Sequence, residues 1–244
     1  MTDTTIRLAK RVADQIPCSR NEAEQYIAGG WVSVDGEIVE EAGARVSETQ
    51  QVVIDPNATL AEIVPVTILL HKPAGYAAGA DQEATPAIAL IGAGTLVAEQ
   101  QGRERFLKRH LARLTLAAPL ETRASGLVVY TQDFRVTRKL IEEGNRVEQE
   151  FIVEVKGTLC ENGLALLNHG LTYNGKEIPP MKVSWQNETR LRFALKGVRP
   201  GQVVHMCRSV GLTVVTMKRI RIGRVPMASL PVGQWRYLLQ HERF

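Results

Sequence analysis

The stretch Pro119–Asp133, PLETRASGLVVYTQD, limits the fold more tightly than any other part of the chain. Its centre is an unbroken apolar run, Leu127-Val128-Val129-Tyr130. Small residues precede it at Ala124-Ser125-Gly126, and Thr131-Gln132-Asp133 follows. A short β-branched run bounded by turn residues reads as a buried strand. Glu121 stands just before that turn, on a loop carried by rigid scaffold, where chemistry is usually placed. A solvated loop acid would produce the same local pattern, so the rest of the chain must decide between the two.

The N-terminal segment is a compact pattern of its own. Thr5–Ile16 has apolar residues at helical spacing, with Arg7, Lys10 and Arg11 on its other face. Pro17-Cys18-Ser19 breaks it, Ser19 with Glu22 forms a capping box, and Asn21–Ala28 reads as a second helix ended by Gly29-Gly30. Trp31–Val34 alternates as a strand into the hairpin signal Asp35-Gly36. Basic residues gathered at one end of this module, with Arg20 opening the second helix, suit phosphate contacts.

Asp55–Pro65 carries no strong period and reads as a linker. Beyond it, Val66–Leu70 is a predicted strand running into the turn His71-Lys72-Pro73-Ala74-Gly75. Ala77–Gln101 is weakly patterned. Gly102–Arg113 carries Arg103, Arg105, Lys108, Arg109 and Arg113 and reads as a charged helix face. A helix over Phe134–Gly144, a strand over Val147–Lys156, a helix near Glu161–Leu167 and a strand over Thr189–Leu195 follow. The chain thus divides into a small domain at 4–55, a linker at 56–65 and a larger domain at 66–244, all of α+β class.

Charge separates along the same line. Residues 1–56 hold 5 Lys+Arg and 10 Asp+Glu, a net of −5, whereas residues 57–244 hold 25 and 16, a net of +9, which together make the chain's +4. A basic large domain suits a polyanionic partner. The three cysteines, Cys18, Cys160 and Cys207, are odd in number and far apart, which suits reduced thiols in a cytoplasmic protein. No apolar run reaches the ~20 residues of a membrane helix, no secretory leader is recognisable, and monomer is the default expectation. The five histidines form no metal-ligand pair, so no metal is expected. Neither GxGxxG nor GxxxxGK[ST] occurs, which argues against a nucleotide cofactor.

The run R-L-A-K-R-V-A…C-S-R-N-E-A-E-Q-Y-I-A-G-G-W-V-S-V-D-G resembles the S4 RNA-binding module over about residues 5–54. In that family the two helices and the loop before the strand contact structured RNA. The resemblance therefore implicates Arg7, Lys10, Arg11 and Arg20.

The larger domain resembles the RNA pseudouridine synthases, nearest the RsuA branch, which modifies ribosomal RNA and usually carries an S4 module first. The resemblance rests on Lys72-Pro73-x-Gly75, on Leu120-Glu121-x-x-Ala124-Ser125-Gly126-Leu127, and on RPGQVVHMCRSVG against R-N-R-Q-V-R-R-M-x-x-x-x-G. It also rests on the closing Lys218-Arg219-Ile220-Arg221-Ile222-Gly223 with Leu230-Pro231-x-Gly233-Gln234-Trp235-Arg236. It implies a mostly antiparallel sheet flanked by helices, a structured RNA partner with ribosomal RNA foremost, and chemistry without cofactor or metal. An aspartate acts at the sugar of a flipped uridine, a tyrosine stacks on the base, and an arginine pairs with the aspartate. The corresponding residues here are Glu121, Phe151 and Val204. Lys72, Leu127 and His205 complete the expected pocket, and Arg123, Arg208, Lys218, Arg219 and Arg221 are added as RNA contacts.

All three central positions depart from the family pattern. Phe151 keeps the stacking face of a tyrosine and loses its hydroxyl. Glu121 keeps the charge but moves it by about 1 Å, a displacement that can cost ~10²-fold in rate. Val204 removes the counter-charge, which Arg123, Lys72, Arg208 or His205 would have to supply. Two readings stay open: an active synthase with Glu121 as its acid, and a non-catalytic RNA-binding protein on the same scaffold, such as a ribosome-assembly factor.

Overall fold

The computed structural model describes residues 5–60, 64–101 and 106–244. The chain forms two compact units, Met1–Val64 with Gly102–Ala112, and Pro65–Gln101 with Arg113–Phe244. Residues 106–112, which the sequence places in the larger domain, thus group with the first unit. There the Lys108 backbone N–H donates to Glu40 Oε2 at 2.7 Å.

The first unit runs β1 (Thr5–Arg7), α1 (Leu8–Gln15), α2 (Arg20–Ala28), β2 (Val32–Val34), β3 (Glu37–Ile38), β4 (Arg45–Ser47) and β5 (Val52–Ile54). The helix expected over Thr5–Ile16 starts only at Leu8. Thr5–Arg7 instead pairs antiparallel with Arg45–Ser47, a long-range ladder that local periodicity could not report. The second helix begins as its capping box requires, with the Glu22 N–H on Ser19 Oγ and the Ser19 N–H on Glu22 Oε2. β2 lies between β3 and β5, and Asp35 and Gly36 make the β2–β3 turn at positive φ. Leu8, Ala9 and Val12 of α1 meet Ala23 and Ile27 of α2 over Val32, Val46 and Val52, a closed apolar core. Each of the leucine, isoleucine and valine side chains contributes roughly 1.5–3 kcal/mol when fully buried.

The second unit contains β6 (Thr67–Lys72), β7 (Thr115–Ala118), β8 (Ser125–Thr131), α3 (Phe134–Thr137), β9 (Glu148–Gly157), α4 (Gly163–Asn168), β10 (Thr172–Tyr173) and β11 (Lys176–Glu177). It continues through β12 (Lys182–Trp185), β13 (Arg190–Lys196), α5 (Gln202–Ser209), β14 (Leu212–Ile222), β15 (Val225–Pro226) and β16 (Trp235–Tyr237). Its main sheet has the order β12-β13-β9-β14-β8-β6-β16, with β7 added to β8 and β15 to β14. Every pairing is antiparallel except the short β14–β8 ladder, where Lys218 faces Ser125 and Arg219 faces Gly126. The α+β class and the mostly antiparallel sheet are as expected.

Strand β8 is central, and each residue from Gly126 to Thr131 is buried, as its unbroken apolar run demands. Gly126 has φ +111, and a Cβ there would stand 2.2 Å from the Arg219 carbonyl oxygen. Only glycine lets β8 and β14 come this close. Two expected helices fall short. Phe134–Gly144 is α-helical only to Thr137 and continues as a π-helical turn over Arg138–Glu142. In Gly102–Arg113 the described part is a 3₁₀ turn at Lys108–Leu111, and Arg103 and Arg105 lie outside the described residues. Among the described residues no helix is long and apolar enough to cross a membrane.

Candidate active site

Glu121 sits in the short loop between β7 and β8, half-buried, on the wall of a cavity of about 750 Å³. The same cavity is lined by Gln149 and Phe151 of β9, Met217 and Arg219 of β14, Asp81, Arg199 in the loop before α5, and Val203 in its first turn. Strands β7, β9 and β14 of the main sheet form one part of its wall, and loops and helical turns form the rest.

The loop is held from several sides. The Leu120 N–H donates to Ala78 O at 2.8 Å, and the Gly75 N–H donates to Thr122 O at 2.7 Å. Thr122 Oγ1 donates to Asp81 Oδ2 at 2.6 Å. That hydroxyl and the Glu83 N–H hold the exposed Asp81 carboxyl below the usual carboxylate range. Lys72 Nζ reaches the carbonyls of Pro73, Tyr76, Thr122 and Ala124 at 3.0, 2.9, 3.2 and 2.6 Å. Burial, with the Arg219 charge second, brings Lys72 down to about 8. The lysine of Lys72-Pro73-x-Gly75 is thus a clip under the Glu121 loop and does not line the cavity.

Arg219 works from below. Its Nε donates to Leu127 O at 2.8 Å, one terminal nitrogen to Pro119 O and Gln149 Oε1 at 2.9 Å each, and the other to Ala118 O at 2.8 Å. The guanidinium stands 6.0 Å from the centre of the Phe151 ring, and the residue is 2% exposed. Burial lowers its affinity for a proton, to about 9. All of its donors point inward, so the expected RNA contact at Arg219 is corrected to an internal brace. Arg221 is half-buried and also engaged within the fold. It is bonded to Glu148 at 2.6 Å and Glu150 at 2.8 Å, and Arg192 also bonds Glu150. The guanidiniums of Arg192 and Arg221 outweigh burial and lower the Glu150 pKa.

The Glu121 carboxylate itself meets a backbone group. Oε1 accepts from the Gly201 N–H at 2.9 Å, and Gly201 is the N-cap of α5. Among the described residues no cation lies within ion-pair distance of Glu121. The four cations named as substitutes for the arginine are elsewhere: Lys72 on its carbonyls, Arg123 and Arg208 exposed, and His205 exposed with its Nε2 2.9 Å from Thr172 O. Phe151 is placed as expected, 2% exposed against the cavity. Leu127 is in the core beneath. Val204 and His205 do not line the cavity, and Val203 does. The reason is helix phase: Gln202, Val203, Met206 and Cys207 form the buried face of α5, and Val204 lies about 100° away from Val203. Lys218 is half-buried, while Arg7, Lys10 and Arg20 are exposed and Arg11 half-buried in the first unit.

Asp81, Thr122, Arg199 and the Gly201 N–H were not among the residues expected from sequence. Asp81 lies in the unpatterned Ala77–Gln101 stretch, and a backbone N–H carries no sequence signal. Only Arg199, the first basic residue of the RPGQVV run, could have been found.

Comparison with known proteins gives consistent results. The S4 domain family matches residues 6–52. The chain is 27% identical over 241 residues to the Escherichia coli ribosomal small subunit pseudouridine synthase A, covering 97% of this chain and 98% of that protein. It is 27% identical to an uncharacterized RNA pseudouridine synthase of Aquifex aeolicus, over 97% and 94% of the two chains. It is 26% identical to a dual-specificity RNA pseudouridine synthase of Salmonella typhi, over 99% and 78%. A crystal structure of a pseudouridylate synthase superposes with a TM-score of 0.61 at 21% identity, covering 96% of each chain, and supports the fold.

Proposed function

We propose that this chain, a divergent member of the RsuA-like RNA pseudouridine synthases that carry an S4 domain, isomerises uridine to pseudouridine in structured RNA, ribosomal RNA foremost. The observation that carries the proposal is the placement of Glu121. Its carboxylate faces a cavity floored by the Phe151 ring and is oriented by the Gly201 N–H at 2.9 Å.

The chemistry needs a carboxylate beside the sugar and room for a base to turn. The bond from C1′ to N1 breaks, the uracil rotates, C5 bonds to C1′, and the proton on C5 leaves while N1 gains one. Glu121 serves as the acid at the sugar, as nucleophile or as base. The Phe151 face receives the flipped base; stacking of this kind is worth ~1–3 kcal/mol and offsets the cost of leaving the RNA stack. The N-terminus of α5, a partial positive charge of about half a unit, meets the Glu121 carboxylate and takes the part that an arginine plays in the family's pattern. Arg199 on the cavity wall adds positive charge for the phosphate of the flipped nucleotide. Arg7, Lys10, Arg11 and Arg20 hold RNA phosphates from the S4 unit.

The test is pseudouridine mapping of ribosomal RNA from cells with the gene, without it, and with Glu121→Ala. One defined pseudouridine should vanish in both altered strains. If no position changes while the purified protein still binds ribosomal RNA with a steep salt dependence, the scaffold serves binding alone.

A further inference from the structure

We propose that Tyr173 is a positioning residue for Glu121, acting through the single peptide unit that joins Pro200 to Gly201. The inference rests on the reading of Glu121 as the reacting acid. Tyr173 Oη donates to Pro200 O at 2.6 Å, and the N–H of the same peptide donates to Glu121 Oε1 at 2.9 Å. The phenol and the carboxylate therefore grip opposite ends of one planar, rigid group. Hydrogen bonds in series polarise one another, by perhaps 10–30% per bond, so the hydroxyl both aims the N–H and strengthens it.

The surroundings give Tyr173 a fixed place. It ends β10, whose hairpin with β11 has only two residue pairs, Thr172 with Glu177 and Tyr173 with Lys176. A ladder this short is not stable alone. It is anchored to α5 by His205, whose Nε2 lies 2.9 Å from Thr172 O and whose ring packs 5.2 Å from that of Tyr173 at a 54° tilt. Gly201 completes the fit. Its φ is +76, and a Cβ there would lie 2.9 Å from Tyr173 Oη. Any side chain at 201 would collide with the hydroxyl, so glycine is what lets the phenol reach the peptide. The hydroxyl, the glycine and the N-cap together do by backbone geometry what a guanidinium would do by charge.

The test uses the full-length protein. In ¹H–¹⁵N spectra without RNA, Glu121→Gln identifies the Gly201 amide by its response. Tyr173→Phe is expected to move the same amide upfield, to a weaker hydrogen bond. His205→Ala, which removes the ring beside the phenol and leaves the hydroxyl, is expected to move it in the same direction by less. With RNA under single-turnover conditions, Tyr173→Phe should slow pseudouridine formation roughly tenfold, a fraction of the ~10² that a 1 Å misplacement costs, with RNA affinity unchanged. A Gly201 amide that responds to Glu121→Gln but to neither Tyr173→Phe nor His205→Ala overturns the proposal, as does one that ignores Glu121→Gln. If the amide shifts as expected while the wild-type protein forms no pseudouridine, the relay stands and the enzymatic reading fails.

Discussion

Replacing Arg219 by methionine tests whether the loop bearing Glu121 is supported from beneath. The substitution keeps most of the volume and removes four donated hydrogen bonds, to the carbonyls of Leu127, Pro119 and Ala118 and to Gln149 Oε1. Hydrogen bonds from a charged donor contribute ~1.5–3 kcal/mol each, so the gross loss is about 6–12 kcal/mol. Two effects reduce it. A buried guanidinium bears a desolvation cost, seen here in its lowered proton affinity, and the methionine recovers about 2 kcal/mol of apolar burial. A net destabilisation of ~3–5 kcal/mol is expected, since removing the arginine leaves buried carbonyl oxygens without a donor at ~1–3 kcal/mol each. Urea unfolding followed by tryptophan fluorescence measures it. Arg219→Lys, which keeps the charge and lacks the fork, should fall between methionine and wild type. An Arg219→Met protein within about 0.5 kcal/mol of wild type would refute the argument that these bonds hold the loop.

Lys72 sets a pH dependence. Its folded value is about 8 against 10.5 for the unconstrained side chain. Between these values the unfolded chain binds more protons, so the Lys72 contribution makes stability rise with pH through this window, and the cost of keeping it charged is fully present below about 8. Urea midpoints on either side of the window should differ less in Lys72→Met than in wild type; equal differences would remove Lys72 as the cause. Gly126→Ala places a methyl 2.2 Å from the Arg219 carbonyl oxygen, backbone against backbone, at a φ of +111. A loss above ~4 kcal/mol is expected, read as failure to give a cooperative thermal transition, and a melting temperature within a few degrees of wild type would overturn it.

Much of the architecture was legible because it depends on local chemistry. The Ser19–Glu22 capping box, the Asp35-Gly36 turn and the apolar run of β8 each carry their own physical reason within a few residues. The resemblance read from Lys72-Pro73-x-Gly75 and the closing Arg-Ile-Gly run led to a cavity with Glu121 and Phe151 on its wall. Where local pattern misled, a distant partner was responsible. Thr5–Arg7 has helical spacing but finds Arg45–Ser47, and strand pairing across forty residues outweighs a frayed first turn.

The sequence by itself determined the capped second helix and hairpin turn of the first unit, that an acid precedes a buried strand, and that the arginine expected opposite that acid is missing. Only the tertiary structure decided what each cation does. Lys72 reads from sequence as a pocket residue and Arg219 and Arg221 as RNA contacts, yet the fold turns the first two onto carbonyls beneath the loop and the third onto Glu148 and Glu150. It also decided what meets Glu121: the N–H of Gly201 at the start of α5, eighty residues away in sequence. A side chain's charge is written in its residue type, whereas its partner depends on which strands close over it, and a backbone N–H leaves no mark in the sequence at all.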